Sequence, residues 1–144
     1  MGHGSGRPTQ ADQVHTIGEH FHSACNVYPT LAAGEAVATG VGAWTLSAAF
    51  VEIVPVNTIE SDFDIHYIVV EAVSVAEVYE IVLYAAEVEI GRARVAFVDV
   101  ANSQTLPSVP FQCAIIPANT QIQAKTASAS GTDSITISLH YHTY

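Results

Sequence analysis

Ser134-Ile-Thr-Ile-Ser-Leu-His-Tyr-His142 alternates apolar and polar side chains with a period of two. In an extended strand successive side chains point to opposite sides. Ile135, Ile137, Leu139 and Tyr141 therefore share one face, and Thr136, Ser138, His140 and His142 share the other. This is the pattern of a half-buried strand in an antiparallel sheet. Working back along the chain, similar segments recur at about 121–127, 109–116, 88–100, 77–86, 63–74 and 43–54. All are rich in Val, Ile, Tyr, Phe and Thr. Turn signals separate them: Pro55-Val-Asn57, Glu60-Ser-Asp62, Asn102-Ser-Gln104 with Pro107, Pro117-Ala-Asn119, and Ser130-Gly-Thr-Asp133. No long stretch keeps a 3.6-residue period. The one run that tempts a helix reading, Glu71 to Glu89, is too rich in valine and isoleucine.

Two finer features sharpen this reading. Val88 and Ile90 point inward by parity with Glu87 and Glu89 outward, but beyond Gly91 it is Ala93, Val95 and Phe97 that point inward, with Arg92 and Arg94 outward. A glycine at a change of parity marks a β-bulge. There is also an internal echo: Ile53-Val-Pro-Val-Asn-Thr-Ile59 resembles Ile115-Ile-Pro-Ala-Asn-Thr-Gln-Ile122. In both, proline ends a strand because it cannot donate to the ladder, and asparagine serves the turn. Two equivalent strand ends half a domain apart suit a jelly roll, which is built from two Greek keys. The expected fold is thus all-β, an antiparallel β-sandwich of jelly-roll type over residues 43–144. Residues 1–42, poor in large apolar side chains, are expected to form an extended N-terminal arm with at most one edge strand.

The chain has 144 residues, 49% of them hydrophobic and only 12% charged. That length suits one domain with a real core. The surface must be covered by neutral residues, or in part by another protein. Fourteen acidic residues oppose four basic ones for a net charge of -10. The four, Arg7, Arg92, Arg94 and Lys125, are scattered along the sequence, so neither direct nucleic-acid binding nor attraction to an anionic membrane is expected. No apolar run approaches a membrane helix or the core of a signal peptide. Cys25 and Cys113 are expected to be free thiols in a reducing cytoplasm.

Each candidate chemistry has a plainer counterpart. His20-Phe-His22 and His140-Tyr-His142 are both His-x-His, and on a strand each pair presents two imidazoles to one side. Together they would make a four-histidine metal site in a cupin-like enzyme; the plainer reading makes them polar positions of half-buried strands. Glu60, Asp62 and Asp64 would suit calcium but lack the spacing of a calcium loop. Glu77, Glu80, Glu87 and Glu89 would suit a glycosidase pair, yet occupy positions expected to face outward. Trp44 with Tyr67, Tyr79, Tyr84, Tyr141 and Tyr144 would suit a sugar platform, but Trp44 begins an apolar segment and is expected in the core. No nucleophile elbow or oxyanion loop is present. The expectation is no catalytic residue, no cofactor and no metal, with His20, His22, His140 and His142 as the metal candidates in reserve.

At the level of whole segments the chain resembles small virion proteins of tailed bacteriophages. The residues that carry the likeness are Trp44-Thr-Leu46, Phe50-Val-Glu-Ile-Val-Pro-Val-Asn-Thr-Ile59, Phe63-Asp-Ile-His-Tyr67, Val78-Tyr-Glu-Ile-Val-Leu-Tyr84, Glu89-Ile-Gly-Arg92, Ile116-Pro-Ala-Asn-Thr-Gln-Ile122 and Ser134 to His142. The resemblance implies a capsid decoration or cement protein with a jelly-roll-like domain. Its partners would be the major capsid protein and further copies of itself, most simply as a trimer. It would be made in the host bacterial cytoplasm and reside on the virion surface. A receptor- or glycan-binding module of a fibre or tail is the alternative.

Overall fold

The structure, a computed structural model, describes residues 25–98 and 107–144. Among these residues there are nine strands and no helix: β1 (Cys25–Tyr28), β2 (Glu35–Ala38), β3 (Val51–Val54), β4 (Phe63–Val73), β5 (Val78–Ala85), β6 (Val88–Ala96), β7 (Ser108–Pro110), β8 (Ile122–Ser128) and β9 (Ser134–Thr143). They form two antiparallel sheets in a sandwich-like arrangement. The first has the order β1-β9-β4-β7, with β2 also paired to β9; the second has the order β3-β8-β5-β6.

The alternation of β9 decides which way it faces. Ile135, Ile137 and Leu139 are buried in the core, and Tyr141 packs against it. Ile65, Ile68 and Val70 of β4 join them, as do Tyr79, Ile81 and Leu83 of β5 and Ile122 and Ala124 of β8. Each fully buried Ile or Leu side chain contributes about 1.5–3 kcal/mol, so the two inner faces hold the sheets together. The bulge expected at Gly91 is present. Leu83 pairs with Gly91 and Tyr84 with Glu89, which leaves Ile90 as the extra residue. Space there is short, because a side chain on Gly91 would meet the Phe111 ring at 2.7 Å. Val88, expected inward, is 68% exposed; it sits in the first pair after the tight Ala86–Glu87 turn, beyond the edge of the core.

The echoed turns meet. Asn57 and Asn119 both adopt positive φ, 63° and 67°. The Asn57 backbone N–H donates to the Asn119 carbonyl at 3.1 Å, and the Asn119 N–H donates to the Ile59 carbonyl at 2.7 Å. Asparagine tolerates this left-handed conformation better than most residues.

Three segments differ from the sequence expectation. Residues 25–38, read as arm with at most one edge strand, supply two strands. β1 pairs with the 139–142 half of β9 and β2 with the 134–137 half, and Val37 is fully buried. Residues 43–50, read as strand, form an irregular segment held to β8 by Trp44 N–H to Ser128 and Ser47 N–H to Thr126. Trp44 is not a core residue: it has φ 56° and is 42% exposed. The glycines at 40 and 42 turn the chain just before it, and that cue outweighs the apolar composition. The segment 109–116 keeps ladder pairing only to Pro110. It then departs from β4 and returns where Ile116 bridges Phe63.

Candidate functional site

Two places gather chemistry, one on the outer face of each sheet. The first follows from the departure just described. β4 carries a register shift between Ile65 and Tyr67, so His66 is an extra residue relative to β9. Opposite it, the chain beyond Pro110 leaves the ladder. Between the two runs a groove of about 460 Å³, lined by Asp64 to Tyr67 and by Pro110 to Cys113.

Register places Asp64 directly beside His142 on β9. The two imidazoles of His66 and His142 stack at 5.6 Å between centroids, 24° apart in plane. Asp64 Oδ1 lies 3.0 Å from His66 Nε2 and 3.9 Å from His142 Nδ1. The Tyr144 hydroxyl donates to the other carboxylate oxygen, Oδ2, at 2.8 Å. That hydrogen bond holds the Tyr144 phenol above its ordinary pKa and fixes the carboxylate with Oδ1 toward the imidazoles. One ligand atom from each of Asp64, His66 and His142 lies within 4.8 Å of the others.

His142 is therefore not a surface position. It faces away from the core, as alternation requires, yet it is 1% exposed, covered in part by the His66 ring and by the Tyr144 ring at 4.7 Å. His140 shares its face but stands apart, edge-on to Tyr67 at 6.2 Å. His20 and His22 lie outside the described residues. Neither His140 nor His142 points into the sandwich interior, where a cupin-like centre would need them. The sequence reading missed Asp64 and His66 as partners of His142. The available signal was Asp64-x-His66, a second two-residue spacing of ligand types.

Cys113, on the far wall of the groove, is a free thiol. Burial pushes its pKa up; a backbone hydrogen bond at Ile65 opposes this in part, and the nearby Asp64 charge adds a smaller upward push. Less thiolate means slower alkylation. In a Cys25→Ser background, Cys113 of the folded protein is expected to react with iodoacetamide at neutral pH at least roughly tenfold more slowly than in the urea-unfolded chain. Equal rates would show that the groove wall is open.

The second place is the outer face of the β3-β8-β5-β6 sheet. Cross-strand rows run Lys125–Val82–Arg92, Ala127–Glu80–Arg94 and Gln123–Tyr84–Glu89. All three basic residues among the described ones thus stand on one face. The Arg94 guanidinium lies 4.3 Å above the Trp44 ring, the Lys125 ammonium 4.5 Å above Phe50, and Phe50 meets Tyr84 edge-on at 4.9 Å. Glu80 accepts from both Arg92 and Arg94, and Glu89 accepts from Arg92 twice. The hydrogen bond from Arg92 holds Glu89 below the ordinary carboxylate range. Both of these acids are thus engaged by arginines.

The remaining candidates disperse. Asp62 caps the Pro117 turn by accepting from the Ala118 N–H at 3.0 Å, while Asp64 turns to the histidines, so the acidic turn does not converge on one point. Glu77 accepts from the Ser130 hydroxyl. Tyr79 is buried with its hydroxyl donating to the Val75 carbonyl at 2.7 Å, and so is lost to any sugar platform. No helix among the described residues is long and apolar enough to cross a membrane. Neither the family models, nor the curated proteins, nor the solved structures contain a match to this chain.

Proposed function

We propose that this chain is a structural virion protein, a decoration or cement protein that binds the assembled head of a tailed bacteriophage. The observation that carries the reading is the outer face of the β3-β8-β5-β6 sheet. In a chain of net charge -10, this face collects Arg92, Arg94 and Lys125 beside Glu80 and Glu89 and is close to neutral. It also exposes Trp44 and Arg94, residue types enriched where binding energy concentrates. An acidic protein meets a flat protein surface with least repulsion through such a face.

The sandwich reads as a jelly roll, and its pairing supports this. The pairs β2–β9, β3–β8, β4–β7 and β5–β6 are all antiparallel and nest one inside the next. That is the order of one long hairpin wound on itself, the two Greek keys of a jelly roll. Fold alone does not assign function, so the reading rests on the face and on the sequence resemblance.

Co-sedimentation with purified empty capsids of the phage that encodes the chain is the direct test. The protein is expected to pellet saturably and to be trimeric in light scattering. The double variant Trp44→Ala, Arg94→Ala is expected to bind at least about tenfold more weakly with an unchanged fold. Failure of the unaltered protein to pellet refutes the capsid role. Undiminished binding by the double variant refutes the face.

A further inference from the structure

We propose that Asp64, His66 and His142 form a binding site for a divalent transition-metal ion of the zinc type, on the outer face of the β1-β9-β4-β7 sheet. This departs from the sequence expectation of no metal. It stands apart from the capsid reading, because it uses the opposite sheet.

The donor set is two imidazole nitrogens and one carboxylate oxygen. Zinc takes such ligands at about 2.0–2.2 Å, which places ligand atoms about 3.3 Å from each other in a tetrahedron. The separations of 3.0 Å and 3.9 Å from Asp64 Oδ1 to the two imidazole nitrogens bracket that spacing. All three donor atoms fall within 4.8 Å of one another with no ion in place. Small side-chain adjustments suffice to close the set.

Three further features fit a metal better than an internal ion pair. First, the carboxylate has a supporting partner. Tyr144 donates to Oδ2 and leaves Oδ1 facing the imidazoles, and outer hydrogen bonds of this kind orient metal-ligating carboxylates. Second, the described arginines and lysine cannot serve Asp64. Arg92 and Arg94 are paired with Glu80 and Glu89, and Lys125 lies over Phe50, all on the other sheet. Third, the ligands sit on two rigid central strands. His142 is held by β9, which has β4 on one side and β1 on the other. His66 is re-aimed by a bulge, a device that often redirects a side chain at a functional site. Asp64 and His66 also line the 460 Å³ groove, which gives an entry path and room for a fourth, exchangeable ligand. Three protein ligands with an open position describe a reactive or exchangeable site rather than a closed structural one.

The test uses the full chain, without an affinity tag, stripped with chelator and titrated at neutral pH with Co²⁺ and then Zn²⁺. One equivalent of Co²⁺ is expected to bind with the visible absorption of a low-symmetry site and to be displaced by Zn²⁺. Zinc is expected to raise the melting temperature, because an ion that binds only the folded state stabilises it. His66→Ala removes a partly exposed side chain and is expected to leave the fold intact, so it avoids the folding defect that loss of buried His142 risks. It should weaken Zn²⁺ binding by at least about tenfold and abolish the melting shift. The double variant His20→Ala, His22→Ala is expected to bind as the unaltered chain does. Absence of saturable binding overturns the site. So does the reverse pattern, in which binding survives His66→Ala and is lost with His20 and His22.

Discussion

Removal of residues 2–42 is expected to abolish cooperative folding, whereas removal of residues 2–24 should leave a cooperatively melting domain. The difference lies in β1 and β2. Together they cover one whole edge of β9, from the Cys25–His142 pair to the Ala38–Ser134 pair. Without them β9 becomes an open edge strand, with unpaired backbone groups along the strand that carries Ile135, Ile137 and Leu139 into the core. The larger truncation also removes Val37, which is fully buried; that residue alone is worth about 1.5–3 kcal/mol. It breaks polar links to β8 and to the 43–50 segment as well. Thr126 Oγ1 donates to the Val37 carbonyl, and the Ser47 hydroxyl donates to the Ala38 carbonyl at 2.5 Å. Leaving such buried groups unsatisfied costs about 1–3 kcal/mol each. Against a total stability of about 5–15 kcal/mol, the sum removes the folded state. Near-ultraviolet dichroism and a thermal melt decide the matter. A truncation to residue 43 that melts within a few degrees of the full chain would show that the two strands are dispensable.

Gly131→Ala is expected to be the most damaging of the Gly→Ala changes at the described glycines, because Gly131 alone among them combines a positive φ with a Cβ approach under 3.0 Å. Gly131 lies at the tip of the β8–β9 hairpin with φ +87°, and an added Cβ would stand 2.3 Å from the Gly42 carbonyl oxygen and 2.4 Å from Gly42 C and N. Those atoms are backbone and cannot swing away. They belong to the turn that interlocks with this hairpin: Thr132 N–H donates to the Gly40 carbonyl, Thr39 N–H to the Asp133 carbonyl, and Asp133 N–H to Thr39 Oγ1. Left-handed strain of about 1–2 kcal/mol and overpacking of about 1–3 kcal/mol add, so a loss of about 2–5 kcal/mol is expected. For a chain of this size that is a fall in melting temperature of roughly 10 °C. Gly42→Ala is the control. Its φ is +93°, but the nearest atom to the new Cβ is Thr45 Oγ1 at 3.6 Å. It carries the strain without the clash, and a loss of about 1–2 kcal/mol is expected. Equal losses from the two variants would mean that the close approach of the two turns is not what Gly131 protects.

The candidate metal site was only half visible in the sequence. His142 stood out through its spacing from His140, but the two imidazoles diverge, one to Asp64 and the other to Tyr67. Asp64 looked like the third acid of a solvated turn. Nothing local says that a residue near position 64 will face one near 142, because β-register is a long-range pairing. The bulge at His66 was also hidden. At Gly91 a glycine and a clean parity change announce a bulge, whereas around His66 the apolar run Tyr67-Ile-Val-Val70 masks the shift.

Local chemistry alone determined the all-β character, the inward face of β9, the bulge at Gly91 and the two Pro-x-Asn-Thr turns. Each follows from the two-residue period of an extended chain, from the missing N–H of proline, or from the tolerance of asparagine for positive φ. Tertiary structure alone decided that residues 25–38 close the edge of β9, that Trp44 leaves the core for the Arg94 guanidinium, and that the two Asn turns bond to each other. It also brought Asp64, His66 and His142 together. The physical reason is that a strand has two edges and two faces. Its sequence marks which face is apolar, but the partner on each edge is set by competition among all the strands for pairing and burial, and that competition has no signature within any one segment.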